Sequence, residues 1–282
     1  METPGPPAVR AGAVVCVRED GAYLESCLRH LISHGIDYAI LDNGMDADAL
    51  NLLGRPPFRN SLLALEKLAF HGSFELRRQI EAKEELFRRL DVDWLIHLDV
   101  DEVMHAYVEH ERLIDSISRL DAAGFNAIAF DEFVFLPIEQ PYEPGSALQP
   151  ICTYYFYRPS EGPRLMRARK KSAGLTMAPA MPDPRAAGHR LFGEGLRLAP
   201  ERFALRHYLV LDQAHAHRKY VERVFAQVEL AAGWHRNRIG YPSRAFTFPP
   251  ATALRRLSHP ASRAFDPSDP KSFHYWQWSV VR

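Results

Sequence analysis

Only three cysteines occur in 282 residues and none forms a C-x-x-C pair, so neither a disulfide framework nor a thiolate metal clip is expected. Cys16, Cys27 and Cys152 lie far apart, two of them in apolar runs where buried thiols are common, and a reducing compartment suits that usage. Net charge is missing too. The 35 basic residues balance 35 acidic ones, which removes the overall field that draws a protein to nucleic acid or anionic lipid and leaves any charge-based function local. No stretch approaches the roughly 20 apolar residues that cross a bilayer, so no transmembrane segment is expected. Met1 to Gly12 holds three prolines and no apolar run of signal-peptide length. A cytoplasmic chain with residues 1–11 as a loose tail is the expectation. Internal repeats and low-complexity tracts are absent as well.

What is present is enough apolar residue, 46%, for one substantial core. A β-branched run, Ala13 to Val17, leads through the polar turn Arg18-Glu19-Asp20-Gly21 to Leu24, Cys27, Leu28 and Leu31 at helical spacing. Gly35 is placed to cap that helix, and Tyr38 to Leu41 predicts a second strand ending in Asp42-Asn43-Gly44. Such a β-α-β unit makes a right-handed crossover, which sets Arg18 to Asp20 and Asp42 to Asp46 on one sheet edge, the edge where open α/β sheets bind ligands.

The alternation continues. A helix is predicted over 75–90 with Leu76, Ile80, Phe87 and Leu90 on one face, then a strand Trp94 to Leu98 running into Asp99-Val100-Asp101-Glu102. A helix over 111–120 and a strand from Ala127 to Phe135 follow. The predicted class is α/β, with a mixed, mostly parallel sheet flanked by helices. Past Pro137 the prolines at 137, 141, 144 and 150 interrupt regular structure before strand candidates at 151–157 and 203–208. A helix with Val221, Val224, Phe225 and Val228 on one face is expected next, packing either on its own domain or on a second subunit, so a homo-oligomer is one of two outcomes. The aromatic end, Phe273 to Trp278, is expected to fold back onto the domain. The working division is 12–136, 137–210 and a carboxyl-terminal extension, 211–282.

The strongest chemical signal is the apolar strand that delivers Asp99, Asp101 and Glu102 at its carboxyl end. Acids at alternate positions there can reach one hard divalent cation, Mg²⁺ or Mn²⁺, which takes one or two carboxylates and fills its remaining positions with water and phosphate. The competing reading is a strand end merely solvated by acids, because Asp-x-Asp is a short pattern.

Three separated segments together resemble the family 2 type glycosyltransferases of the GT-A fold, in the bacterial branch with an Arg-Asn-Glu opening and an Asp-x-Asp-Glu motif. They are Val14 to Asp20, Leu41 to Asp46 and Asp99 to Glu102, and the likeness weakens after Pro137. Asp20 stands where the family has Glu, and Met45 where it has Ser. The resemblance implies a metal-dependent transfer of sugar from a nucleoside diphosphate sugar to a glycan, lipid-linked or small-molecule hydroxyl acceptor, with inversion. It places Arg18, Glu19, Asp42 and Asn43 beside the nucleotide, Asp99 at the ribose and metal, and Asp101 on the metal. Turn formation alone also accounts for Asp-Asn-Gly, and a surface ion pair for Arg18.

A third metal ligand is expected from the carboxyl half, with His207 preferred over His189. His215 and His217, two apart at a predicted helix start, diverge. Inversion needs a general base, for which Asp131 and Glu132 are the candidates. Lys171, with Arg167, Arg169 and Lys170, forms the densest basic cluster and is a candidate for the pyrophosphate. Two other functions compete: a sugar-phosphate nucleotidyltransferase, which would want a Gly-rich phosphate loop that Arg18 to Gly21 does not supply, and a nucleotide-sugar-binding relative without turnover.

Overall fold

The computed structural model describes residues 9–18, 21–140, 142–143, 152–159, 165–177, 188–235 and 238–278. Glu19 and Asp20 lie outside them. A ten-stranded mixed sheet runs through the molecule with helices on its faces, so the expected α/β class is present. Its first half is β1 (Ala11–Val17), α1 (Gly21–Ser33), β2 (Asp37–Asp42), α2 (Ala47–Leu53), β3 (Leu62–Lys67), α3 (Leu76–Arg89) and β4 (Trp94–Asp99). Pairing is parallel from β3 through β2 and β1 to β4, and the register sets Val17 beside Asp42 and Cys16 beside Asp99. One edge therefore collects the ends of all these strands.

The second half adds β5 (Glu102–His105), α4 (Leu113–Ala122), β6 (Ala127–Leu136), β7 (Tyr154–Arg158), β8 (Met166–Lys170) and β9 (Leu198–Tyr208). Here β8 runs antiparallel between β4 and β6, and β9 lies parallel to β6 while pairing antiparallel with β5. The two-residue β10 (Arg255–Arg256) pairs with β7, so 211–282 contributes to the sheet as well as packing on it.

Strand alternation divides the core. Ala13, Val15 and Val17 join Leu24, Leu28 and Leu31 of α1 on one face, while Val14 joins Ile80, Leu86 and Phe87 of α3 on the other. A further cluster near the carboxyl end buries Trp276 against Tyr220 and Phe246.

The helix expected across 221–228 is not formed. α5 (Gln213–His217) passes into a π-helical turn, Arg218–Glu222, the chain then extends, and α6 (Gln227–Ala231) starts anew. The extended part pairs with the segment before α3, Phe74 N–H donating to Val224 O (2.7 Å) and Ala226 N–H to Phe74 O (3.1 Å). Phe225 is buried by this bridge, whereas Val221, Val224 and Val228 are 39%, 62% and 73% exposed. The helical spacing of those valines was a coincidence that a tertiary strand bridge overrode. Glu229, nearby, accepts from the Leu76 and Arg77 amides (3.0 and 2.6 Å) and so caps α3 from outside it.

Gly35 closes α1 with φ of 71°, where an added Cβ would meet Ile114 Cγ2 at 2.7 Å. Gly35→Ala is expected to lose about 1–3 kcal/mol through left-handed strain and this clash. A urea midpoint equal to wild type would refute that account.

Candidate active site at the carboxyl edge of the sheet

A cavity of about 510 Å³ opens at the edge where β1 and β4 end. Arg18 follows β1, His97 and Asp99 come from β4, Asp101 from the turn into β5, and Glu102 from the first position of β5. Glu132 of β6 and His207 of β9 form another part of the wall, and Arg218 and Lys219 of the π-helical turn another.

Each acid meets a base. Asp99 Oδ1 accepts from Lys83 Nζ at 3.1 Å and its Oδ2 lies 3.6 Å from Arg167 Nη2, yet 48% of the side chain stays exposed. Burial would raise the Asp99 carboxyl, but Lys83 and Arg167 carry it well below the carboxylate range. Asp101 accepts from Lys219 Nζ (2.6 Å), which also donates to the Leu209 carbonyl (2.9 Å). His207 Nε2 stands 3.4 Å from the same Asp101 oxygen, and its Nδ1 lies 2.7 Å from Glu132 Oε1. Desolvation works against a charge on His207, but the two carboxylates together raise its pKa well above the ordinary value, so it is an imidazolium bridging Asp101 and Glu132. Glu132 also takes Arg158 Nη1 at 3.2 Å; burial opposes its charge, and Arg158 with His207 holds its carboxyl far down.

Of the residues named from sequence, Arg18, Asp99, Asp101, Glu132 and His207 share this cavity. His189 lines it as well. Others do not. Asp42 spends its carboxylate on its own turn, accepting from the Gly44 and Met45 amides (2.9 and 2.8 Å), and Asn43 Nδ2 donates to the Leu68 carbonyl (2.8 Å). Both are buried beside the cavity rather than lining it. Asp131 alternates with Glu132 along β6 and so faces the other way, paired with Arg202 Nε (2.9 Å) and Tyr157 Oη (3.2 Å). Lys171 is at the wrong end of the sheet: β8 runs antiparallel to β4 with Lys170 beside Trp94, and the Lys171 ammonium caps the Leu90 carbonyl. Its neighbour Arg167, two strand steps nearer the cavity than Arg169, is the member of that basic cluster that arrives.

Lys83, Lys219 and Arg158 were not expected. Lys83 carried a signal: it sits among Ile80, Leu86 and Phe87 on the apolar stripe of α3, where a lysine demands a buried acceptor. Lys219 and Arg158 carried none, since their partners are remote in sequence.

Fold and site define a mixed α/β protein with a cleft at its strand ends whose walls pair acids with bases. No family model matches the sequence, and no curated protein sequence matches it. Among solved structures the chain is similar to residues 1–349 of S. aureus TarS, at 9% identity and TM-score 0.44, covering 70% of this chain and 60% of that one. The same protein in complex with UDP gives 10% identity and TM-score 0.43 over 71% and 61%. HddC from Yersinia pseudotuberculosis, complexed with GMP-PN, gives 7% and 0.30 over 45% and 60%. The chain thus spans about three fifths of the length of these structures. No helix among the described residues is long and apolar enough to cross a membrane.

Arg167 is the partner of Glu102, whose carboxyl burial pushes up to about 7 from 4.5 against the pull of that guanidinium. A carboxyl raised on folding takes stability away as pH climbs from its unfolded value through its folded one. Arg167→Met removes the opposing pull and leaves a buried acid unpaired, so it is expected to cost roughly 3–5 kcal/mol near pH 8 and clearly less near pH 5, where Glu102 is protonated. A loss independent of pH in chemical denaturation would show that the pair is not what matters.

Proposed function

We propose that the protein is a metal-dependent glycosyltransferase of the GT-A kind, moving a sugar from a nucleoside diphosphate sugar to a hydroxyl acceptor with inversion. The supporting observation is the convergence of Asp99 and Asp101 from one strand end with Arg18, Arg167, His207 and Lys219 around a single cavity. Paired carboxylates beside cationic side chains suit a diphosphate that must be gripped and then released.

The donor set suits a hard divalent cation. Asp101 and His207 already converge at 3.4 Å, Asp99 lines the same cavity, and the ammonium on Asp101 marks a position that favours positive charge. Mn²⁺ or Mg²⁺ held by Asp101 and His207 would neutralise charge growing on the departing diphosphate. To ligate, His207 must first give up its Nε2 proton, which makes binding pH-dependent. Arg18, Arg167 and Lys219 are assigned to the phosphate oxygens, because a guanidinium or ammonium held partly or wholly out of water stabilises a dianion without reorganising. Glu132 is assigned to orienting His207. Its depressed proton affinity makes it a weak base at neutral pH.

The test is thermal denaturation with UDP or GDP and Mn²⁺. Ligand at about 100 times its dissociation constant is expected to stabilise by about 2.7 kcal/mol, with no shift when the metal is chelated or in Asp101→Ala. Incubation with the matching nucleotide sugar is expected to release the nucleoside diphosphate slowly without acceptor. Pyrophosphate release from a nucleoside triphosphate and a sugar phosphate would instead establish a nucleotidyltransferase.

A further inference from the structure

A second group of ligating side chains lies outside the cavity. His30 is in the last turn of α1, His34 follows directly with its amide on the His30 carbonyl (3.1 Å), and His105 ends β5. Residues four apart on a helix share a face, and the packing of β5 against that face completes a trio. Ring centroids are 4.3 Å apart for His30 and His34 and 5.1 Å for His30 and His105, and one ligand nitrogen from each lies within 4.8 Å of the others.

His105 is 4% exposed, and neither of its ring nitrogens has a hydrogen-bond partner among the described residues. A core histidine present only for packing would satisfy at least one, because an unmet buried polar group costs about 1–3 kcal/mol. His30 donates Nε2–H to the Met104 carbonyl (2.5 Å) and keeps the Nδ1 lone pair, the arrangement that metal-bound imidazoles adopt. His34 spends its Nδ1 on the Leu113 amide (3.1 Å), a contact that ligation by this ring would exchange. Burial first, and the neighbouring Arg263 after it, lowers the pKa of His34 to about 4; burial likewise takes His30 to about 3 and His105 well down. Burial thus favours the neutral ring, the form that ligates, at all three positions.

We propose that His30, His34 and His105 bind a divalent transition metal of the zinc type and so clamp α1 to β5. An all-imidazole donor set selects Zn²⁺ over Mg²⁺ or Ca²⁺, which demand oxygen. Arg206 and Arg263 stand near enough to oppose a dication, which sets the affinity below that of a thiolate site. The clamp braces the strand whose other end is Glu102 and which pairs with β9 through Glu102 and His207, so occupancy would stiffen one wall of the cavity.

The experiment uses the full chain, free of any tag and dialysed against chelator, with Asp101→Ala as background to weaken the cation site proposed in the cavity. Calorimetric titration with Zn²⁺ is expected to give one equivalent, and Co²⁺ the visible bands of a tetrahedral nitrogen site. Both signals should vanish when His30→Gln, which keeps the amide donor toward Met104, is added. His105→Gln should act alike, and if it does not fold, His30→Gln with native circular dichroism decides. Absence of Zn²⁺ uptake by the Asp101→Ala protein, or uptake unchanged by His30→Gln, would overturn the proposal.

Discussion

Mutual neutralisation of buried charge at the carboxyl edge of the sheet is the constraint around which this molecule is arranged. Asp101 is held by Lys219, Asp99 by Lys83 and Arg167, Glu102 by Arg167, and Glu132 by Arg158 and His207. An isolated charge at such depth would cost several kcal/mol, and a pair does little better than break even. The network is therefore a poor source of stability. What it supplies, Asp99 with its half-exposed side chain apart, is a set of charges already stripped of water and already oriented, so that a charged ligand meets a wall with little reorganisation left to do.

Stability has to come from elsewhere, and the apolar clusters on both faces of the sheet supply it. The carboxyl-terminal cluster has a second consequence. Tyr220 follows Lys219, stacks on Phe246 with rings 5.5 Å apart, and packs on Trp276 at 4.5 Å. The ammonium on Asp101 is thus positioned by aromatic rings belonging to the last part of the chain. Glu229 works in the same direction, tying α6 to the start of α3 while His235 Nε2 stands 2.7 Å from the Oε2 that takes the Leu76 amide. Residues beyond 210 are in this sense part of the cavity's construction.

The β-α-β start, the helix over 76–89 and the strand that delivers the Asp-x-Asp pair were legible because each has a local cause: alternation or helical spacing of apolar residues, a capping glycine, acids at a strand end. The same local patterns misled where a local and a tertiary use compete. Asp42 follows its turn chemistry, and Asp131 is set by strand parity to the face opposite Glu132. Lys171 belongs to a strand whose antiparallel direction puts its carboxyl end away from the cavity. Val221, Val224 and Val228 have helical spacing, but the bridge of Phe225 to Phe74 takes the backbone out of the helix.

By itself, then, the sequence determined the α/β alternation and the pair of acids at the end of β4, since both follow from side-chain periodicity and strand-end position, which act over a few residues. Only the tertiary structure decided which bases meet those acids. Lys219 is 118 residues from Asp101, and Glu132 is 75 from His207. The gathering of His30, His34 and His105 is of the same sort. Charge pairing is specified by distance in space, and the register of β4 with β8 and of β5 with β9, settled by the packing of the whole sheet, sets that distance.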